Sequence, residues 1–389
     1  MKFTEYVEVN PKTNLKKGEY APFVEMANVS ITYREPEKIE YKKYTSGPKF
    51  QNGDSVVARI EPCLQNGKRF FWKSDKIGFG STEYIVFRAK EGKMDSKYLF
   101  YLLKTDYIKK SMVSSMVGAT GRQRVNNDIF GQIEIVVPNI EKQKKIGRTL
   151  FLYDDLIENN QKQIKLLEEA AQRLYKEWFV DLRFPGHENT KIVDGVPEEW
   201  SIYPFSSKVD IMSGGTPKTS IPDYYNGKIP FYTPKDNDGA FFAYKTQMNI
   251  TEGGLKNCNS RLYPPKTVII TARGTVGKTT ILAVPMAMNQ SCYALKMKEN
   301  DAPYYLFFAL NNEIKALQTM ANGGVFNTII GKTFDSINIQ IPKDPLIYGF
   351  EETVRPFMEQ IKNKLQANSK LVEARDRLLP KLMSGEVKV

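Results

Sequence analysis

The chain contains one histidine, His187, in 389 residues. Imidazole acid–base chemistry and histidine metal ligation therefore have almost no material. The three cysteines, Cys63, Cys258 and Cys292, are odd in number and far apart. That usage fits a reducing compartment better than a disulfide framework or a thiolate metal site. No apolar run reaches the roughly 18–20 residues that cross a bilayer. The first residues, MKFTEYVEVN, have no apolar signal-peptide core. A cytoplasmic protein with no membrane partner is expected. His-Glu-x-x-His and Gly-x-Ser-x-Gly patterns are missing, as is the Asn/Asp-Pro-Pro-Tyr tetrapeptide by which an amino-methyltransferase grips a flipped base. No acidic pair followed by Glu-x-Lys points to a nuclease centre. These absences favour binding and assembly over catalysis, with no metal and no cofactor held by this chain.

Charge, in contrast, is plentiful and unevenly placed. Residues 1–140 carry 23 Lys+Arg against 16 Asp+Glu, and residues 201–340 carry 14 against 9, within a net charge of +12. Two basic segments joined by nearly neutral ones suggest a polyanionic partner, most simply nucleic acid.

The neutral segments are periodic. From Ile146 to Trp178, apolar residues recur at steps of four and three through Ile146, Leu150, Tyr153, Ile157, Ile164, Leu167, Ala171, Leu174 and Trp178, broken only by Asn160. A mean spacing of about 3.5 residues lines one seam of a helix, as a coiled-coil strand requires. The pattern predicts a helix over about 142–179, roughly 55 Å long. Adding 204 to each position gives Phe350, Val354, Phe357, Ile361, Lys364, Asn368, Leu371, Arg375, Leu378 and Leu382. The lead-in repeats as well, since Phe130, Ile133, Ile135, Val137 and Pro138 match Phe334, Ile337, Ile339, Ile341 and Pro342. The chain thus reads as two copies of a globular segment followed by a long helix, an α+β protein. The expected divisions are 1–140, a helix over 141–180, a Pro/Gly-bearing linker over 181–199, a second globular segment over 200–343 and a second helix over 344–389. Asn160, Lys364, Asn368 and Arg375 either fix register as polar seam residues or face solvent.

Within the globular segments, 55–60, 84–88, 133–137, 209–212, 267–271 and 291–297 read as strands, and 97–110 and 304–317 as amphipathic helices. A loop, Gly118–Asn127, follows the first of these helices, and Asn322–Asn327 follows the second. Arg, Gln and Asn can pair bidentately with guanine or adenine edges, and glycine permits close backbone approach. Candidate nucleic-acid contacts are therefore Arg59, Arg122, Gln123, Arg124 and Asn126 in the first segment. In the second they are Lys218, Lys235, Asn237, Arg273, Lys278 and Asn327. The run Ala272-Arg273-Gly274-Thr275-Val276-Gly277-Lys278-Thr279 ends like a phosphate-binding P-loop, but alanine stands where the pattern requires its first glycine. A basic β-turn is expected there. A nucleotide-hydrolysing or nuclease enzyme using the Lys278 region, and an RNA-binding adaptor, are the alternatives.

Pro197-Glu198-Glu199-Trp200, Gly214-Gly215-Thr216-Pro217 and Ile229-Pro230-Phe231 resemble the opening of a target-recognition domain in the specificity subunits of type I restriction-modification systems. Pro138, Gln143, Ile146 and Leu150 resemble that family's approach to its central helix, and Glu177-Trp178-Phe179 its exit. With the repeat, the resemblance covers nearly the whole chain. The first domain lacks the Gly-Gly-Thr-Pro opening, and the second helix has no counterpart of Gln143. The resemblance implies two α/β target-recognition domains, each reading half of a split double-stranded DNA site. It implies two long helices packed as an antiparallel coiled coil in a pseudo-two-fold repeat, with seam residues Ile146, Leu150, Ile157, Ile164, Leu167 and Leu174 facing Val354, Ile361, Leu371 and Leu378. It further implies docking of two modification subunits, and of restriction subunits through the complex. S-adenosylmethionine, ATP and Mg2+ would be used by those partners.

Overall fold

The computed structural model describes residues 1–320, 329 and 331–388. Their contacts divide into two units, Met1–Gln161 with Ala367–Val389, and Lys162–Gln366. The division falls inside both long helices, which run over Ile140–Tyr175 and Asp344–Ser384.

In the first unit, β-branched and aromatic runs build a four-stranded antiparallel sheet. Its order is Val7–Val9, Tyr84–Ala89, Ser55–Ala58, Arg69–Phe71, with Val57 opposite Ile85. A second sheet has the order Glu40–Lys43, Tyr20–Val24, Gly78–Gly80, Lys49–Phe50. One face of the first sheet joins Tyr98, Leu99, Ile146, Leu150, Leu379 and Leu382 in the main core. Gln143 fixes the start of the first long helix. Its amide donates to the Pro138 carbonyl at 2.8 Å and accepts from Asp95 N at 3.0 Å.

The second unit has a five-stranded sheet in the order Val209–Ser213, Cys292–Met297, Val268–Thr271, Thr279–Leu282, Phe242–Ala243, and a three-stranded one in the order Asn249–Ile250, Tyr225–Tyr232, Ala287–Met288. Its core includes Ile164, Ala171 and Tyr175 of the first long helix and Phe350, Val354, Met358 and Ile361 of the second, with Leu167 and Leu174 packed at the margin. Pro303–Met320 forms the helix expected over 304–317, and Glu351 accepts the Tyr305 N–H at its start at 2.7 Å.

Four expectations change. The helix expected over 97–110 is two, Ser96–Leu102 and Asp106–Ser114. Thr105 Oγ1 donates to the Leu102 carbonyl at 2.6 Å, closing the first helix locally. The strand expected over 133–137 is an isolated bridge from Glu134 to Lys2, because Phe3 turns away into a 3-10 turn. Its counterpart, Asn338–Ile341, finds a full partner in Ser201–Pro204. In addition, 181–199 is no loose linker. Phe184 and Trp200 are buried together at 5.3 Å between centroids, Arg183 Nε donates to Glu177 at 2.6 Å, and Ile192–Val193 pairs with Val196–Pro197. On the second helix, the buried line passes through Met358 and Leu379, while Phe357, Leu371 and Leu378 are half-buried. Pro356 lies within the helix, where it removes one backbone donor without ending it.

Candidate nucleic-acid interface

The first-unit loop is a hairpin, with Met116–Val117 paired antiparallel to Arg124–Val125. Most of the expected contact residues build it. Arg124 forms a forked pair with Glu83, its Nε and Nη2 donating at 2.9 and 2.8 Å. Arg59 turns inward and donates to the Val125 carbonyl at 3.0 Å. Gln123 donates to the Gly118 carbonyl at 3.4 Å, and Asn126 Oδ1 accepts the Asp128 N–H at 3.0 Å. Arg59 is thus a framework residue, whereas Asn126 braces the turn through Oδ1 and keeps its side chain exposed. Arg122 is exposed at the tip, and no side-chain hydrogen bond or ion pair holds it among the described residues.

A surface that the sequence pattern did not single out lies on the second sheet of this unit. Tyr20 stands opposite Lys43, and Pro22 opposite Tyr41. Tyr20 is 69% and Tyr41 56% exposed. On that face Lys43 Nζ lies 5.6 Å from the Tyr20 ring centre and Lys76 5.1 Å from Tyr41, while on the other face Lys42 lies 4.3 Å from Phe23 and Lys49 4.8 Å from Tyr44. Lys42 and Lys38 flank Glu40 and pull its carboxyl down to about 2. Interleaved ammonium groups and aromatic faces suit a phosphate backbone and its bases. The alternation Tyr41-Lys42-Lys43-Tyr44 was the available signal.

In the second unit, Val268–Thr271 and Thr279–Leu282 pair antiparallel. Thr271–Thr279 is therefore a hairpin turn and not the strand–loop–helix of a P-loop. Gly274 and Gly277 have φ of 80° and 81°, which glycine adopts freely. The Lys278 N–H donates to Thr271 Oγ1 at 3.1 Å, and the Arg273 and Lys278 side chains are exposed. Beside the turn, a cleft of about 830 Å3 is lined by Glu169, Arg173, Lys176, Lys278 and Asn311.

Gly214 and Gly215 serve close approach. A Cβ on Gly214 would stand 2.3 Å from the Asn289 carbonyl oxygen, and one on Gly215 2.7 Å from Asn259 N. Tyr225 OH then donates to the Pro217 carbonyl at 2.7 Å, which leaves Lys218 exposed on a braced loop. Lys235 is exposed on a 3-10 turn capped reciprocally by Thr233 and Asp236. Asn237 is buried, its amide donating to the Thr279 carbonyl at 3.4 Å, and is corrected to a framework residue. Asn327 and the rest of 322–327 lie outside the described residues. Arg261, exposed near Asn259, was not anticipated.

Two basic surfaces on two mixed α/β units define a nucleic-acid-binding class of protein. The sequence matches the family described as type I restriction modification DNA specificity domain twice, over residues 7–169 and 197–366. The chain belongs to that family. It is 28% identical over 302 residues to the type I restriction enzyme MjaIX specificity subunit of Methanocaldococcus jannaschii, covering 76% of this chain and 69% of that one. It is 25% identical over 404 residues to the HindI specificity subunit of Haemophilus influenzae, covering 87% of each. The fold is similar to the crystal structure of a type I restriction-modification S subunit from M. genitalium, with a TM-score of 0.60 at 17% identity, over 98% of this chain and 95% of that one. The protein is a DNA-binding specificity subunit of a type I restriction-modification system, with two target-recognition domains. The nucleotide-hydrolysing, nuclease and RNA-adaptor alternatives find no support in these relatives.

Proposed function

We propose that each domain reads one half of a bipartite double-stranded DNA site, and that the two long helices set the distance between the halves. The chain is then the non-catalytic, cytoplasmic member of a DNA adenine methyltransferase and ATP-dependent endonuclease complex. Two modification subunits dock on it, restriction subunits join through the complex, and S-adenosylmethionine, ATP and Mg2+ serve those partners. The reading of the helices as an antiparallel coiled coil in a pseudo-two-fold repeat rests on one observation above others. The first part of one helix shares a core with the last part of the other, as Ile146 and Leu150 do with Leu379 and Leu382. The complementary halves share the second core, as Ile164 does with Val354 and Ile361. Leu152 and Leu156 remain more than half exposed on the part of the first helix that belongs to the first unit and are the candidate docking stripe for a modification subunit.

Arg122, Arg273, Lys218, Lys235 and Lys278 are the proposed DNA contacts among the residues named from the sequence, joined by the Tyr20–Tyr41–Lys43 surface. The test is gel-shift competition between a cognate duplex and an RNA of equal length, with the modification subunits present. Preference for the duplex supports the reading, and equal competition refutes it.

A further inference from the structure

Three loops of the second unit meet at the Gly214–Gly215 turn. They lie within 213–221, 255–263 and 286–291, and carry Lys218, Lys256 and Arg261 with no Asp or Glu. The two glycines bring backbone against backbone. A Cβ on Gly214 would also stand 2.4 Å from the Met288 carbonyl oxygen, and one on Gly215 2.9 Å from Asn259 Cα. The loop that carries Asn259 and Arg261 is braced on both sides. Ser260 Oγ accepts the Met288 N–H at 3.0 Å. Tyr263 and Met286 exchange backbone hydrogen bonds at 2.8 and 3.1 Å, and Tyr263 OH donates to the Ser213 carbonyl at 2.9 Å.

This bracing engages none of the side chains that could meet a ligand. Lys218, Asn259 and Arg261 are exposed, and among the described residues no side-chain hydrogen bond or ion pair holds them. Gln290 Oε1 accepts from Thr216 Oγ1, which orients the exposed amide and leaves its N–H groups open. Burial raises the Tyr263 hydroxyl, and the positive charge of Arg261 partly offsets that rise. The guanidinium therefore stands near the Ser213 end of the glycine turn.

Cations alone would suit a phosphate backbone. A side-chain amide suits it less, because half of the group is an acceptor that faces no donor on a phosphate. Donor and acceptor side by side match a base edge instead. Asn pairs in this way with adenine N6 and N7, and the Arg fork with guanine O6 and N7. A loop fixed before binding also loses little freedom on contact.

We propose that Arg261 and Asn259 are specificity-determining residues of the second domain, each reading a base edge in the major groove while Lys218 holds a neighbouring phosphate. Arg261 takes a guanine and Asn259 an adenine. The assignment rests on the reading of one half-site by each domain.

The test uses the full chain with its modification subunits and a duplex library randomised in both half-sites. The second half-site is the one that persists when residues 1–140 are exchanged. Arg261→Ala is expected to lose about tenfold in preference at one G·C pair of that half-site, and Asn259→Ala similarly at one A·T pair. Arg261→Lys keeps the charge without the fork and should relax the same G·C pair. Lys218→Ala should weaken all sequences alike and lower the salt slope by about one. Neither Arg261 nor Asn259 holds the fold through its side chain, so the thermal midpoints should stay unchanged. If Arg261→Ala and Asn259→Ala keep the original half-site, or weaken every sequence alike, the loop assignment is overturned and the division of the site between domains stands. Relaxation in the first half-site would overturn both.

Discussion

Arg122 and Arg124, two residues apart, separate reading DNA from holding a loop. Arg124 is engaged by Glu83, whereas Arg122 has no such partner among the described residues. Arg122→Ala should cost about 1–3 kcal/mol in binding and relax one position of the site, if it reads a base. Arg124→Ala should instead lower affinity by loosening the hairpin. Binding to a panel of single-base variants distinguishes them. Lys43→Ala/Lys76→Ala should weaken all sequences alike and reduce the salt slope by about one for each phosphate left without its cation. A second contrast concerns buried charge. Asp154 accepts from both Arg375 and Tyr101 inside the first unit. Asp154→Ala leaves the buried Arg375 with only the half-exposed Asp376 as its carboxylate and should cost about 3–5 kcal/mol in urea unfolding, whereas Asp154→Ala/Arg375→Met should cost less. Glu351 gives a pH dependence. Burial, opposed by the Tyr305 and Tyr304 N–H groups, raises its carboxyl from 4.5 to about 7. A raised carboxyl means that the folded state holds the proton more tightly than the unfolded one. Its stabilising contribution is complete below about 4.5 and is lost as pH rises through about 7. Urea midpoints of Glu351→Gln relative to the natural chain should therefore improve from pH 5 to pH 8, because glutamine keeps the acceptor without the charge.

Elements were legible where periodicity was long. The seam spacing locates both long helices to within a few residues, and it marks Asn160 as the polar break. Asn160 donates to Asn368 Oδ1 at 2.9 Å, and Asn368 donates to the Ile157 carbonyl at 3.3 Å, so these polar seam residues fix register in the first unit. What the pattern could not show was partnership. Asp154 and Glu158 have the spacing of solvated helix charges, yet Arg375 and Arg34 meet them in the interior. Arg59 and Asn237 have the right chemistry for DNA, but neighbours in space claim their hydrogen bonds. Short strands depend likewise on what lies opposite, which is why 133–137 and 338–341 differ. The helices carry their own prediction. Four residues inserted near Gln163 without breaking the helix add about 6 Å of rise and turn the seam by roughly 40°. Methylation mapped across a library of spacers should show the same half-sites with one or two more base pairs between them. Retention of the original spacer at full activity would refute a ruler.

At the scale of the whole molecule, the central claim is that two domains read two half-sites independently. Within the first unit, the loop carrying Thr32 and Arg34 grips both long helices, through Asp155 and Glu158 on one and Arg375 on the other. An exchange of residues 1–140 with a relative must therefore keep Arg34, or it will leave Asp155 and Glu158 unpaired. The most direct measurement is genome-wide mapping of methylated adenines in cells that carry such an exchanged chain with its modification subunits. Independent reading predicts that one half-site changes while the other half-site and the spacer persist. A change in both half-sites, or in the spacer alone, would contradict it.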